Sequence, residues 1–157
     1  MAEIQREAEA RAPLLEGLEE AHPVEYYQRA LEVFNEGRRE EGVFLFYLGQ
    51  LRYRTHLTAR RGDEEAEDDG RVFGVLSQTV GTHINAWAGG DVARWQRSIE
   101  VVLAFDAAHP DRFTPPDQFP EAHREVRDGL AEMARDLPGR ADEIRRERTE
   151  RGLENRT

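Results

Sequence analysis

Apolar residues recur every three to four positions along almost the whole chain, and no run alternates with period two for long enough to demand a strand, so the pattern predicts an all-α fold. Ala8, Ala12, Leu15 and Leu18 share one face of a first helix ending near Glu20, which Pro13 should kink or restart. Pro23 suits a first helical turn, and Val24, Tyr27, Ala30, Leu31 and Phe34 form the stripe of a second helix closed by Asn35, Glu36 and Gly37. From 38 to 59, Val43, Phe44, Phe46, Tyr47, Leu48, Leu51, Tyr53 and Leu57 wrap most of the way round a helix, which implies burial on more than one side.

Segment 60–70 holds two glycines, six acids and no large apolar residue, and reads as a loop. Beyond it Val72, Phe73, Leu76 and Val80 fit a helical face that Gly81 ends or interrupts, with Ile84, Trp87 and Ala88 adding a shorter turn before Gly89 and Gly90 reverse the chain. Asp91 suits the N-cap of a helix carrying Val92, Trp95, Ile99, Val102, Leu103 and Phe105, which must end before Pro110. Residues 110–120, with four prolines and two phenylalanines, read as a rigid strap that tucks Phe113 and Phe119 into the core. A helix from Pro120 turns Ala122, Val126, Leu130, Met133 and Leu137 inward until Pro138 and Gly139 break it, and a charged last helix over 140–151 has only Ile144 to bury. The expected architecture is one compact array of six to seven helices over residues 1–157, frayed at about 1–10 and 152–157.

Composition narrows the function classes. The chain has no cysteine, which removes disulfides, thiolate metal sites and a cysteine nucleophile. All 22 residues counted as Lys+Arg are arginine, which removes Schiff-base chemistry and a P-loop lysine. A net charge of -10 argues against nucleic acid as the main partner and for a basic protein instead. No segment approaches the roughly 20 apolar residues of a membrane span, and the start MAEIQREAEA lacks the pattern of a secretory signal, so the expected place is the cytoplasm, with no membrane contact.

At residues 26–51 the stretch YYQRALEVFNEGRREEGVFLFYLGQL resembles a helical-hairpin repeat of the tetratricopeptide and Sel1-like kind. The likeness rests on an early aromatic, the Ala30-Leu31 pair, Phe34, the turn at Gly37 and an aromatic second helix containing Tyr47-Leu48-Gly49. Small residues at Ala30, Gly42 and Gly49 would let the two helices approach closely. In size, acidity and helical character the whole chain is similar to small, uncharacterised bacterial helical proteins, a group that includes immunity proteins against interbacterial toxins. That resemblance implies a non-enzymatic protein that neutralises a toxin by occluding it.

Two groups of residues are candidates for contact. The acidic run Asp63, Glu64, Glu65, Glu67, Asp68 and Asp69 is suited to a basic partner such as a toxin. Tyr47, Gln50, Arg52, Arg54 and His56, at the end of the central helix, are the candidate wall of a groove for a peptide or an anionic group, with Arg52 and His56 on one face and Arg54 on another. An alternative reading makes that cluster a ligand or enzyme site with Glu40 or Glu41 as acid, and another makes the chain a self-assembling adaptor covered by a second copy. No catalytic residue and no cofactor is expected. His22, His56, His83, His109 and His123 stand singly, none in a helical metal-ligand spacing, so no metal site is expected either. Ser77, Thr79, Thr82 and His83 lack a nucleophile elbow, and Asp106 and Asp111 around His109 read as capping residues.

Overall fold

The computed structural model describes residues 2–157, and those residues form helices and turns without a strand. In chain order the helices are α1 (Ala2–Ala10), α2 (Val24–Asn35), α3 (Arg39–Ala59), α4 (Glu64–Ala88), α5 (Val92–Ala108), α6 (Pro120–Asp136) and α7 (Ala141–Glu150), with short 3₁₀ turns at Ala12–Leu15 and Leu137–Arg140. The all-α expectation is met. No helix among the described residues is long and apolar enough to cross a membrane.

The centre of the array is α3, which packs against α2, α4, α5 and α6. Val43 through Leu48 are all buried, so this helix has no solvent face in its middle and no one-sided hydrophobic stripe. Its contact with α2 is close because two glycines remove the side chains that would hold the backbones apart. A Cβ on Gly42 would lie 2.6 Å from the Cβ of Phe34, and one on Gly49 would lie 2.7 Å from that of Tyr26. The hairpin at 26–51 therefore closes on the small residues singled out in its sequence.

The stretch 60–70 corrects the sequence reading. Only residues 60–63 connect α3 to α4, and the acids Glu64, Glu65, Glu67, Asp68 and Asp69 form the first turns of a 25-residue helix. Glutamate and alanine favour helix, and carboxylates in a first turn face the positive end of the helix dipole, so the charge marks a helix start where it had read as a loop. Nor does Gly81 end this helix. It lies where a Cβ would sit 3.2 Å from the ring of Phe46, and its absence lets α4 pack closely on α3.

Segments near both ends make contacts with the array. The first helix closes at Ala10 rather than near Glu20, since Pro13 enters a 3₁₀ turn that buries Leu14 and Leu15. Helix α1 docks on α5 with Ala8 buried and Arg97 paired to Glu7 at 2.9 Å. At the other end the backbone N–H of Arg156 donates to the carbonyl of Gly90 at 2.7 Å, and its guanidinium lies 3.8 Å from the centre of the Trp87 ring. Helix α7 also buries Arg148 as well as facing Ile144 inward, with the Arg148 guanidinium donating to the carbonyl of Glu154 at 2.5 Å.

Candidate functional site

Helix α3 sends the five candidate groove residues in different directions. Tyr47 points inward, where its hydroxyl donates to Asn85 at 2.7 Å and accepts the indole N–H of Trp95 at 3.1 Å. Burial raises the Tyr47 phenol well above its ordinary value, so it remains a neutral hydrogen-bonding group. Arg52 is 4% exposed and is held by Asp106 at 3.1 Å, the Tyr26 hydroxyl at 3.0 Å and the carbonyl of His109 at 2.5 Å. Asp106 also accepts from Arg127 at 2.5 Å, which completes a network tying α3 to α5 and α6. Tyr47 and Arg52 are therefore structural, and neither lines a groove wall.

His56 is also turned inward, into a clasp that sequence spacing conceals. Its Nε2–H donates to Oδ2 of Asp69 at 2.7 Å, and the Nε2–H of His22 donates to the same oxygen at 3.2 Å. The tautomers are assigned from the other face of each ring. The backbone N–H of Val24 donates to Nδ1 of His22 at 3.0 Å, and the guanidinium of Arg60 donates to Nδ1 of His56 at 2.7 Å. The Tyr53 hydroxyl donates to the carbonyl of Asp69 at 2.9 Å. Burial first, and then Arg60 and His22, lower the His56 pKa against the opposing pull of Asp69. Burial alone would raise Asp69, but the two imidazole N–H groups outweigh it and hold the carboxyl below its ordinary value.

The ligand-capable atoms of His22, His56 and Asp69 lie within 4.8 Å of one another, which is a donor set able to hold a divalent cation. Its outer shell has the opposite polarity. A histidine bound to metal through Nε2 carries its proton on Nδ1 and donates it to an acceptor, whereas here both Nδ1 atoms face N–H donors. These rings fit a carboxylate better than a cation.

Gln50 and Arg54 do line a groove, of about 580 Å³. One wall is the outer face of α3, where Gln50, Thr58 and the exposed Arg54 and Arg61 follow one another at near four-residue spacing. Phe73 of α4 closes one side, and Val126, Leu130 and Met133 of α6 close the other around a gap at Gly129, where a Cβ would meet nothing within 4 Å. Arg54 lies 5.3 Å from the centre of the Phe73 ring, and Arg61 is paired with Glu125 at 2.9 Å.

The acidic run divides in two. Asp69 is consumed by the clasp, while Asp63, Glu64, Glu65, Glu67 and Asp68 are exposed on the start of α4. Of those five, only Asp68 has an ion-pair partner among the described residues, namely Arg71.

The remaining candidates stay apart. Thr79 and Thr82 donate to carbonyls one turn back in α4, and His83 is 3.3 Å from Asn35. Asp111 caps its own turn through the N–H groups of Phe113 and Thr114, at 2.9 and 3.1 Å. Glu40 is held by Arg94 at 2.6 Å and Glu41 by Arg38 at 2.5 Å. At 1.5 Å per residue Glu40 lies about 21 Å along the helix from Arg54, so neither glutamate can serve the groove as an acid.

The fold and surface thus define a helical array organised around one helix that is buried through its middle, with an open groove and an acidic helix start. Comparison with family models, curated proteins and solved structures found no match for this chain.

Proposed function

We propose that the protein is a non-enzymatic protein-binding domain and, in its most specific form, a cytoplasmic immunity protein that neutralises a bacterial toxin by covering it. The observation that carries this reading is the acidic start of α4. Asp63, Glu64, Glu65 and Glu67 have no cationic partner among the described residues, and the turn that follows is anchored through Asp69 to α3 and to His22 just before α2. A loop bearing the same charges would lose conformational entropy on binding, whereas a helix start presents them already ordered. Set in a chain of net charge -10, such a surface steers and orients a basic partner.

The test has two steps. Tagged protein expressed in its source cell is expected to retain one basic protein in stoichiometric amount, and co-expression is expected to relieve the growth defect that this partner causes alone. Recovery of the chain without a partner contradicts the binding reading. Unrelieved toxicity, or a partner harmless by itself, contradicts the immunity reading.

A further inference from the structure

The polar residues of α3 beyond Tyr47 fall into two sets. Those facing inward are satisfied: Arg52, Tyr53, Thr55 and His56 each make at least one hydrogen bond, Thr55 to the carbonyl of Leu51 at 2.8 Å. Those along the groove are not. Gln50, Arg54 and Thr58 make no side-chain hydrogen bond to any described residue, and Arg54 has no carboxylate partner either. Polar groups without a partner inside the chain are normal on a convex surface, where water serves them. Here they lie in a row along the open α3 side of a concavity whose other lining includes the buried Leu51 and the partly buried Phe73, Val126 and Met133.

Charge points the same way. The groove is lined by two arginines and one glutamate, and Glu125 is already paired with Arg61, so Arg54 leaves the concavity net positive on a protein that is strongly acidic elsewhere. The Phe73 face steadies the guanidinium without using its N–H groups, whose planar fork remains free for an anion. A volume of about 580 Å³ falls within the range of small-molecule sites. Gly129 widens the cavity at the cost of helix stability, since alanine is the better helix former and nothing occupies the space its Cβ would take.

We infer that the groove between α3, α4 and α6 is a binding site for a small amphipathic anion, an apolar ring or acyl body bearing one carboxylate or sulfonate. The acid group seats on Arg54 with Gln50 and Thr58 beside it, and the apolar body lies against Phe73, Val126 and Met133 in the gap at Gly129. This site is separate from the acidic start of α4, and its occupancy does not depend on a protein partner.

A pair of dyes that differ in the acid group alone tests it. Anilinonaphthalene sulfonate and its uncharged parent phenylnaphthylamine are titrated by fluorescence against the full chain. The sulfonate is expected to bind at least about fivefold more tightly than the parent. Arg54→Gln should remove that preference and leave binding of the parent unchanged, while Arg54→Lys retains part of it. Gly129→Phe should abolish both, with circular dichroism confirming that each variant is folded. Equal binding of the two dyes, or a preference that survives Arg54→Gln, overturns the assignment of the anion. Absence of binding by either dye, or binding unaffected by Gly129→Phe, overturns the site.

Discussion

His22 and His56, 34 positions apart in sequence, donate to the same oxygen of Asp69, at 3.2 and 2.7 Å, and so hold the first turns of α4 against both α3 and the turn that leads into α2. Removing the carboxylate leaves two partly buried N–H groups without an acceptor. Asp69→Ala is expected to cost about 1–3 kcal/mol in chemical denaturation. It should also raise hydrogen exchange at the start of α4 more than elsewhere, and uniform exchange across the helices would show that the clasp does not act locally.

Stability should fall with acid in two stages. The folded His56 has a lowered pKa, so between its unfolded value near 6.5 and its folded value the unfolded chain binds more protons, and stability is lost as pH drops through that window. Asp69 is also lowered, and its contribution is lost below the ordinary carboxylate value as pH falls through the folded one. Replacing His56 with glutamine, followed by denaturation at several pH values, should flatten the upper stage and weaken the lower one, which His22 still supports. An unchanged upper stage contradicts the assignment.

The tautomers also predict a response to metal. Binding of zinc through both Nε2 atoms requires the donors at Nδ1 to be displaced. Added zinc should therefore leave the Tm unchanged within a degree or so, and a rise of several degrees that is lost in His22→Gln would reverse the assignment.

Arg52 and Arg54 are two residues apart on one helix and should respond very unequally to truncation. Arg52→Ala leaves Asp106 buried with one of its two cations removed and opens a cavity, with an expected cost of about 3–5 kcal/mol. Arg54→Ala removes a group with no hydrogen bond to a described residue and should stay within about 0.5 kcal/mol. Thermal denaturation of the two variants compares them directly.

The glycines give a second contrast. A methyl group on Gly49 would press on Tyr26, so Gly49→Ala should cost about 1–3 kcal/mol through separation of α2 from α3. Gly129→Ala fills empty space and should add about 0.5–1 kcal/mol, a rise in Tm of a few degrees. Gains at both positions would contradict the close α2–α3 packing.

What the sequence revealed follows from the range of the forces involved. Periodicity is local, so the stripe of α2, the enclosed α3 and the breaks at Gly89-Gly90 and Pro138 were legible directly. The acidic stretch was misread because charge density signals loops and helix starts alike, and only the continuation through Val72 to Ala88 separates them. Gln50 and Arg54 were legible as groove residues, since both lie on the outer face of α3. Tyr47, Arg52 and His56 were not separable from them, because α3 is apolar nearly all round and its pattern does not mark which polar residues turn inward. The clasp had no local signal at all, as His22, His56 and Asp69 belong to three segments that meet only after folding. The docking of the C-terminal tail was equally hidden, because its contacts, among them a cation over Trp87 and a backbone bond to Gly90, join segments far apart in sequence.

Whether the acidic start of α4 meets a basic protein is decided by quantitative capture with a charge-reversed chain. Wild-type protein and the triple variant Glu64→Lys, Glu65→Lys, Glu67→Lys are each used to draw partners from the source lysate, with helicity and monodispersity matched beforehand. The account predicts stoichiometric recovery of one basic protein by the wild type and loss of nearly all of it by the variant, with capture weakening as salt is raised. Equal recovery by both chains, or capture insensitive to salt, would contradict it.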